Sequence, residues 1–241
     1  MTNLEKELWD KVKRYMKYIK WVPGLRMVAV CNNLAFGTID ERSDIDLFVV
    51  AREGRLFTVR LFVTGILHLL GVRRHGNKIK GRFCLSFFVD DSSLNLKPIA
   101  IRDDIYLAYW IRSMKPVIDD GVSDEFFTVN GWIRDYFNET GLYLDKSHLI
   151  YKKKAKKSGL GSLLKPAFFG LIPWAFEKRF RYSQLRSARH KASKLADISG
   201  TVINDHMLKF HDKDMRKKYR NLWIDKYGDK KLSEELFKHL I

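Results

Sequence analysis

Cysteine is scarce: the 241 residues contain two, Cys31 and Cys84. Both lie inside apolar runs, so buried packing is their expected role, and the chain offers neither a disulfide scaffold nor a Cys/His metal-ligand cluster. The first 21 residues, MTNLEKELWDKVKRYMKYIKW, carry charges throughout and lack the apolar core of a secretory signal, so the protein is expected in the cytoplasm. Leu163 to Phe176 is mostly apolar but is broken by Pro166, Gly170 and Pro173, too short and too interrupted for a spanning helix. Acidic residues are also under-represented, 28 Asp and Glu against 45 Lys and Arg, for a net charge of +17. The imbalance is local. Residues 1–150 carry 22 basic and 19 acidic side chains, or +3, whereas residues 151–241 carry 23 and 9, or +14. That asymmetry points to a polyanionic partner, either nucleic acid or an anionic membrane, against the alternative of a solvated basic surface.

What the chain does contain is concentrated between Val28 and Val50, VAVCNNLAFGTIDERSDIDLFVV. The apolar run Met27 to Cys31 predicts a strand, a polar loop with Gly37 follows, and a second strand begins near Ser43. Side chains alternate faces along a strand, so Asp44 and Asp46 share one face, while Ile45 and Leu47 take the other. Two carboxylates held so close repel each other unless a cation lies between them. Mg²⁺ takes hard oxygen ligands and is usually completed by substrate phosphates, which makes this a phosphoryl-transfer arrangement in outline.

The same stretch resembles the nucleotidyltransferase superfamily, which includes antibiotic nucleotidyltransferases, poly(A) and CCA-adding enzymes and polymerase-beta-like enzymes. The family signature is a strand, Gly-Ser, a short helix, and an apolar-Asp-apolar-Asp-apolar strand. Asn33 matches the Ser, Ala35 and Gly37 match a common Ala-x-Gly, and Asp44 and Asp46 match the metal-binding pair. Asn32 stands where the family has Gly, a residue that lets backbone approach the triphosphate; Asn tolerates a left-handed conformation better than most residues but adds a side chain there. The resemblance implies an α+β fold with a mixed sheet flanked by helices, and transfer of NMP from an NTP to an acceptor hydroxyl, assisted by Mg²⁺ or Mn²⁺. It implies metal ligation by Asp44 and Asp46 and phosphate contacts from Asn32, Asn33 and Gly37. Arg42 is placed to approach a phosphate or to pair with a neighbouring acid. A third carboxylate is implied on a later strand. In the strand FCLSFFV, Ser86 is the one polar mid-strand residue, and Asp90 shares its parity, so Asp90 is the candidate ahead of Asp91. The competing reading makes both turn or cap residues. Without a third acid, the resemblance allows a catalytically inactive protein that binds nucleic acid or a membrane surface.

The resemblance runs with decreasing strength to about Asp119, within a first domain expected over residues 1–138. Leu4 to Ile19 reads as an amphipathic helix ended by Pro23 and Gly24. Leu56 to Leu70 reads as a crossover helix apolar on nearly every side and therefore buried. Gly71 to Arg82 is a basic, glycine-punctuated connection that suits either a phosphate contact or an exposed turn. Leu94 to Ile101 reads as a short strand, Ile101 to Met114 as a helix with Asp103 and Asp104 near its start, Pro116 to Asp119 as an edge strand, and Asp124 to Phe137 as a helix. Residues 139–241 are expected to be basic and mainly helical. Residues 163–181 place apolar and aromatic side chains beside Lys178, Arg179 and Arg181, suiting either a kinked hairpin or contact with an anionic membrane. Tyr182 to Leu195 and Met207 to Tyr219 read as charged helices. His206 and His211 with Asp205, Asp212 and Asp214 lack a metal-binding spacing and read as surface.

Overall fold

The computed structural model describes residues 1–137, 145–152, 174–194, 197–210 and 214–240. It is an α+β structure built on one open, mixed sheet of seven strands in the order β5-β4-β1-β2-β3-β7-β6. The strands are β1 (Leu25–Cys31), β2 (Ile45–Ala51), β3 (Phe83–Asp90), β4 (Lys115–Asp119), β5 (Tyr151–Lys152), β6 (Val202–Ile203) and β7 (Met207–Lys209). β1 runs antiparallel to both β2 and β4, β2 runs parallel to β3, and β7 closes antiparallel on β3.

Helix α1 (Asn3–Ile19) begins at a reciprocal cap: the Glu5 amide donates to Thr2 Oγ1, and the Thr2 amide donates to the Glu5 carboxylate. Its buried stripe, Leu8, Val12, Met16 and Ile19, recurs at helical spacing. Gly24, at φ +81°, turns the chain into β1; a Cβ there would meet Arg55 Cβ at 2.8 Å. The crossover from β2 to β3 is α3 (Leu56–Leu69), which together with α1 covers one face of the sheet, joined there by Leu185 of α6 (Trp174–Ala192). The opposite face is covered by α4 (Ile105–Ser113), α5 (Val122–Val129), α7 (Arg216–Tyr227) and α8 (Glu234–Lys238). The short helix α2 (Asn32–Phe36) lies at the sheet's end and sends Leu34 into one core and Phe36 into the other.

Several segments differ from their sequence reading. α3 is not buried all round: Leu61 is 41% and Leu69 87% exposed. Residues 94–101 contain a 3₁₀ turn at Lys97–Ile99, with Pro98 inside it, rather than a strand. Asp104 caps α4 by accepting the Leu107 amide at 2.9 Å, and α5 stops at Val129 before a 3₁₀ turn over Gly131–Tyr136. Met207 to Lys209 is a strand, not the start of a helix, because the open edge of β3 takes it up residue for residue. The basic side chains of α6, among them Arg186, Arg189 and Lys191, are exposed. From the C-terminal region, Trp223, Leu232 and Phe237 enter the same core as Phe48 and Phe87. Among the described residues no helix is long and apolar enough to cross a membrane. Residues 163–173 of the expected membrane-contact segment lie outside the described residues, as do His211 and Asp212.

Candidate functional site

The alternation along β2 sets the site. Ile45, Leu47 and Val49 enter the core under α1 and α3, and Phe48 and Val50 enter the core under α4. Asp46 continues the Phe48 row to the end of the strand, where the core gives out and a carboxylate is tolerated. Asp44 precedes the strand by one residue. One oxygen from each lies within 4.8 Å of the other and of Cys84 Sγ. Burial, and then the Asp44 charge, push the Asp46 carboxyl up to about 6, against the hydrogen bonds it receives from Asn32 and Cys84. The Arg74 guanidinium donates to Asp44 Oδ2 at 2.7 Å and approaches Cys84 Sγ at 3.8 Å.

The loop from β1 to β2 brings its residues to this pair. Asn32 adopts φ +56°, a left-handed conformation that Asn tolerates better than most residues, and opens α2. Its side-chain oxygen faces the Tyr106 hydroxyl at 3.5 Å. Asn33 is exposed, and its carbonyl accepts the Gly37 amide; Gly37, at φ +72°, ends the helix. Lys238 reaches this turn, its Nζ lying 3.6 Å from where a Gly37 Cβ would stand. Arg42 is exposed in the following turn, whose shape comes from Asp40: its carboxylate accepts the Arg42 amide at 2.9 Å and the Ser43 hydroxyl at 2.8 Å.

Asp90 is not beside the pair. β3 runs parallel to β2 with Cys84 opposite Asp46 and Asp90 opposite Ala51, at the far end of the sheet. Six residues of strand separate the two positions, about 20 Å. There Asp90 is 1% exposed; it meets His206 Nδ1 at 2.8 Å and accepts the Ser92 hydroxyl at 2.7 Å, pinning the turn between β6 and β7. Asp91 pairs with Arg26 at 2.6 Å. The position alongside Asp46 belongs to a thiol, whose burial raises its pKa. Aligning the starts of the two parallel strands, Ile45 with Phe83, would have put Cys84 at that position.

From Asp46 a cavity of about 740 Å³ extends between α3, the connection over residues 71–82 and α6. Arg60, Arg73, Arg74, His75 and Lys191 line it. Arg60 lies over the rings of Phe88 and Phe210, bonds Gln184 at 2.7 Å, and has a buried Nε with no partner. Burial and the neighbouring Arg73 bring its pKa down to about 10. The arrangement is a carboxylate pair at the mouth of an arginine-lined cleft, suited to a phosphate ligand carrying a cation. As donors, the two carboxylates fit one hard divalent ion that keeps waters and takes phosphate oxygens; the thiol is a soft donor that does not extend the set for Mg²⁺. No family model, curated protein or solved structure matches this chain, so its functional reading rests on these residues.

Proposed function

We propose that this is a nucleotidyltransferase-like protein that binds a nucleoside triphosphate with one divalent ion, Mg²⁺ or Mn²⁺, and that binding rather than transfer is its principal activity. The observation that carries the reading is the Asp44–Asp46 pair beside Cys84, among the described residues a cluster with two carboxylates and no third. Asp44 and Asp46 would hold the ion, which when bound neutralises phosphate charge. Asn32, Asn33 and the backbone up to Gly37 face the same end of the sheet and suit the β and γ phosphates; Arg42 is free to fold over them. Arg60, Arg73 and Lys191 extend positive charge away from the pair, so a second phosphorylated partner can lie along the cleft. A concave, arginine-lined cleft fits a nucleic-acid strand better than a flat anionic bilayer, which leaves peripheral membrane contact through residues 163–181 as the lesser partner.

Isothermal titration with MgATP and MgCTP tests the site. Binding by the wild type and its loss in the Asp44→Ala/Asp46→Ala variant are expected; equal binding by both proteins refutes the assignment. The second reading, transfer of NMP to an acceptor hydroxyl, uses the same carboxylate pair, with the ion offsetting the charge that develops on the phosphate. Metal-dependent pyrophosphate release from an NTP, abolished in Asp46→Asn, would establish it over binding alone.

A further inference from the structure

The cation that touches the carboxylate pair is a guanidinium. Arg74 Nη1 lies 2.7 Å from Asp44 Oδ2, so one of the two oxygens that Asp44 offers a divalent ion is already bonded, and the guanidinium charge lies against the other. An arginine does not shed its proton in a protein, so it cannot yield by titrating. Its backbone is anchored, because the Arg74 amide donates to the Phe83 carbonyl at 2.9 Å. Its side chain, 40% exposed, is free to turn into the cleft it already lines. Two other guanidinium groups, those of Arg73 and Arg60, line the same cleft, so a phosphate group arriving there meets several of them and gives Arg74 a second, bidentate partner.

We propose that Arg74 competes with the divalent ion for Asp44 and is drawn off by phosphate, so that metal and triphosphate enter the site together. The inference rests on the metal–triphosphate reading above and adds to it a positioning residue that sets the order of binding. With Arg74 on Asp44, an incoming ion must break a charge-assisted hydrogen bond and then sit against a like charge. With Arg74 on phosphate, both obstacles vanish. Thermodynamic linkage makes the effect reciprocal: whatever factor triphosphate contributes to metal affinity, metal contributes to triphosphate affinity.

The test is a Mn²⁺ titration followed by the electron paramagnetic resonance of the free ion. It compares wild type, Arg74→Gln and Arg74→Lys, each with and without a non-hydrolysable ATP analogue. Arg74→Gln is expected to bind Mn²⁺ alone at least about fivefold more tightly than the wild type and to lose most of the coupling between the two ligands. Arg74→Lys keeps the charge and is expected to stay near the wild type. If the wild type binds Mn²⁺ with the analogue but Arg74→Gln binds the bare ion no more tightly, the competition is refuted while the site survives. If no protein binds Mn²⁺ under either condition, the metal–triphosphate reading fails and this inference fails with it.

Discussion

Glu177 is the residue whose removal should do most damage for its size. α3 starts without a cap of its own, since Arg55 supplies no side-chain acceptor. The carboxylate comes instead from α6, about a hundred and twenty positions along the chain. It accepts the Phe57 amide at 2.8 Å, the Thr58 amide at 2.9 Å and the Thr58 hydroxyl. Thr58 is 0%, Phe57 2% and Glu177 6% exposed, so water does not substitute readily for the lost acceptor. A buried donor left without a partner costs about 1–3 kcal/mol. A negative charge at a helix N-terminus contributes up to about 2 kcal/mol more in partly buried geometry. Allowing for some relaxation, the unpartnered donors and the lost charge at the helix start together should make Glu177→Ala less stable by about 3–5 kcal/mol. For a chain of this length that lowers the unfolding temperature on the order of 10 °C. Glu177→Gln keeps one acceptor oxygen and should fall between the two. Urea denaturation followed by circular dichroism and tryptophan fluorescence gives the difference directly. A Glu177→Ala midpoint within about 1 kcal/mol of the wild type would refute the reasoning, because it would mean those donors find other partners.

Two further outcomes follow from the same structure. Asp46 is held up to about 6 by burial and by Asp44, so the folded state binds its proton more tightly than the unfolded chain does. Its ionisation therefore costs stability as pH rises from the usual carboxylate range through 6, and Asp46→Asn should be the more stable protein at pH 7.5, with the gain shrinking toward pH 4; urea midpoints showing the opposite trend would overturn the assignment. Phe237, 0% exposed, stacks on Tyr109 at 3.9 Å and meets Phe36 edge-on at 6.1 Å. Phe237→Ala should cost about 3–5 kcal/mol in urea denaturation, and because Phe36 belongs to α2 it should also weaken Mn²⁺–triphosphate binding, whereas an unchanged affinity would separate α8 from the site.

The site's local half was legible in the sequence and its long-range half was not. That Asp44 and Asp46 come together follows from side-chain alternation, which is decided within a few residues. The third position was missed because parity along β3 tells which face a residue takes and not how far along the sheet it lies. Ser86 and Asp90 share parity, yet parallel pairing through the α3 crossover sets Cys84 against Asp46. Arg74 reads in sequence as one more charge in a basic loop, and only the fold brings it to Asp44. β7 was hidden for a similar reason: Met207 to Lys209 is a strand because β3 has an edge to offer, while the charged residues after it suggest a helix. α1 and β1 obeyed local rules because each carries its own pattern of buried residues and Gly24 supplies the turn between them.

The way the sheet is closed has a consequence for how the chain is made. Synthesis delivers β1 to β4 early, and with them both carboxylates and the loop over residues 71–82. The strand that covers the edge of β3 is not added until residues 207–209 leave the ribosome. At roughly 5–20 residues per second, about six to twenty-five seconds pass between the emergence of β3 and that of its partner. Throughout that interval Phe87, Phe88 and Val89 present an unpaired, apolar strand edge, a surface on which other nascent chains can add. Fragments that stop short of residue 200 should therefore collect in the insoluble fraction even though they contain every residue of the carboxylate site, and solubility should return only when the chain extends through β7 and on to α7 and α8.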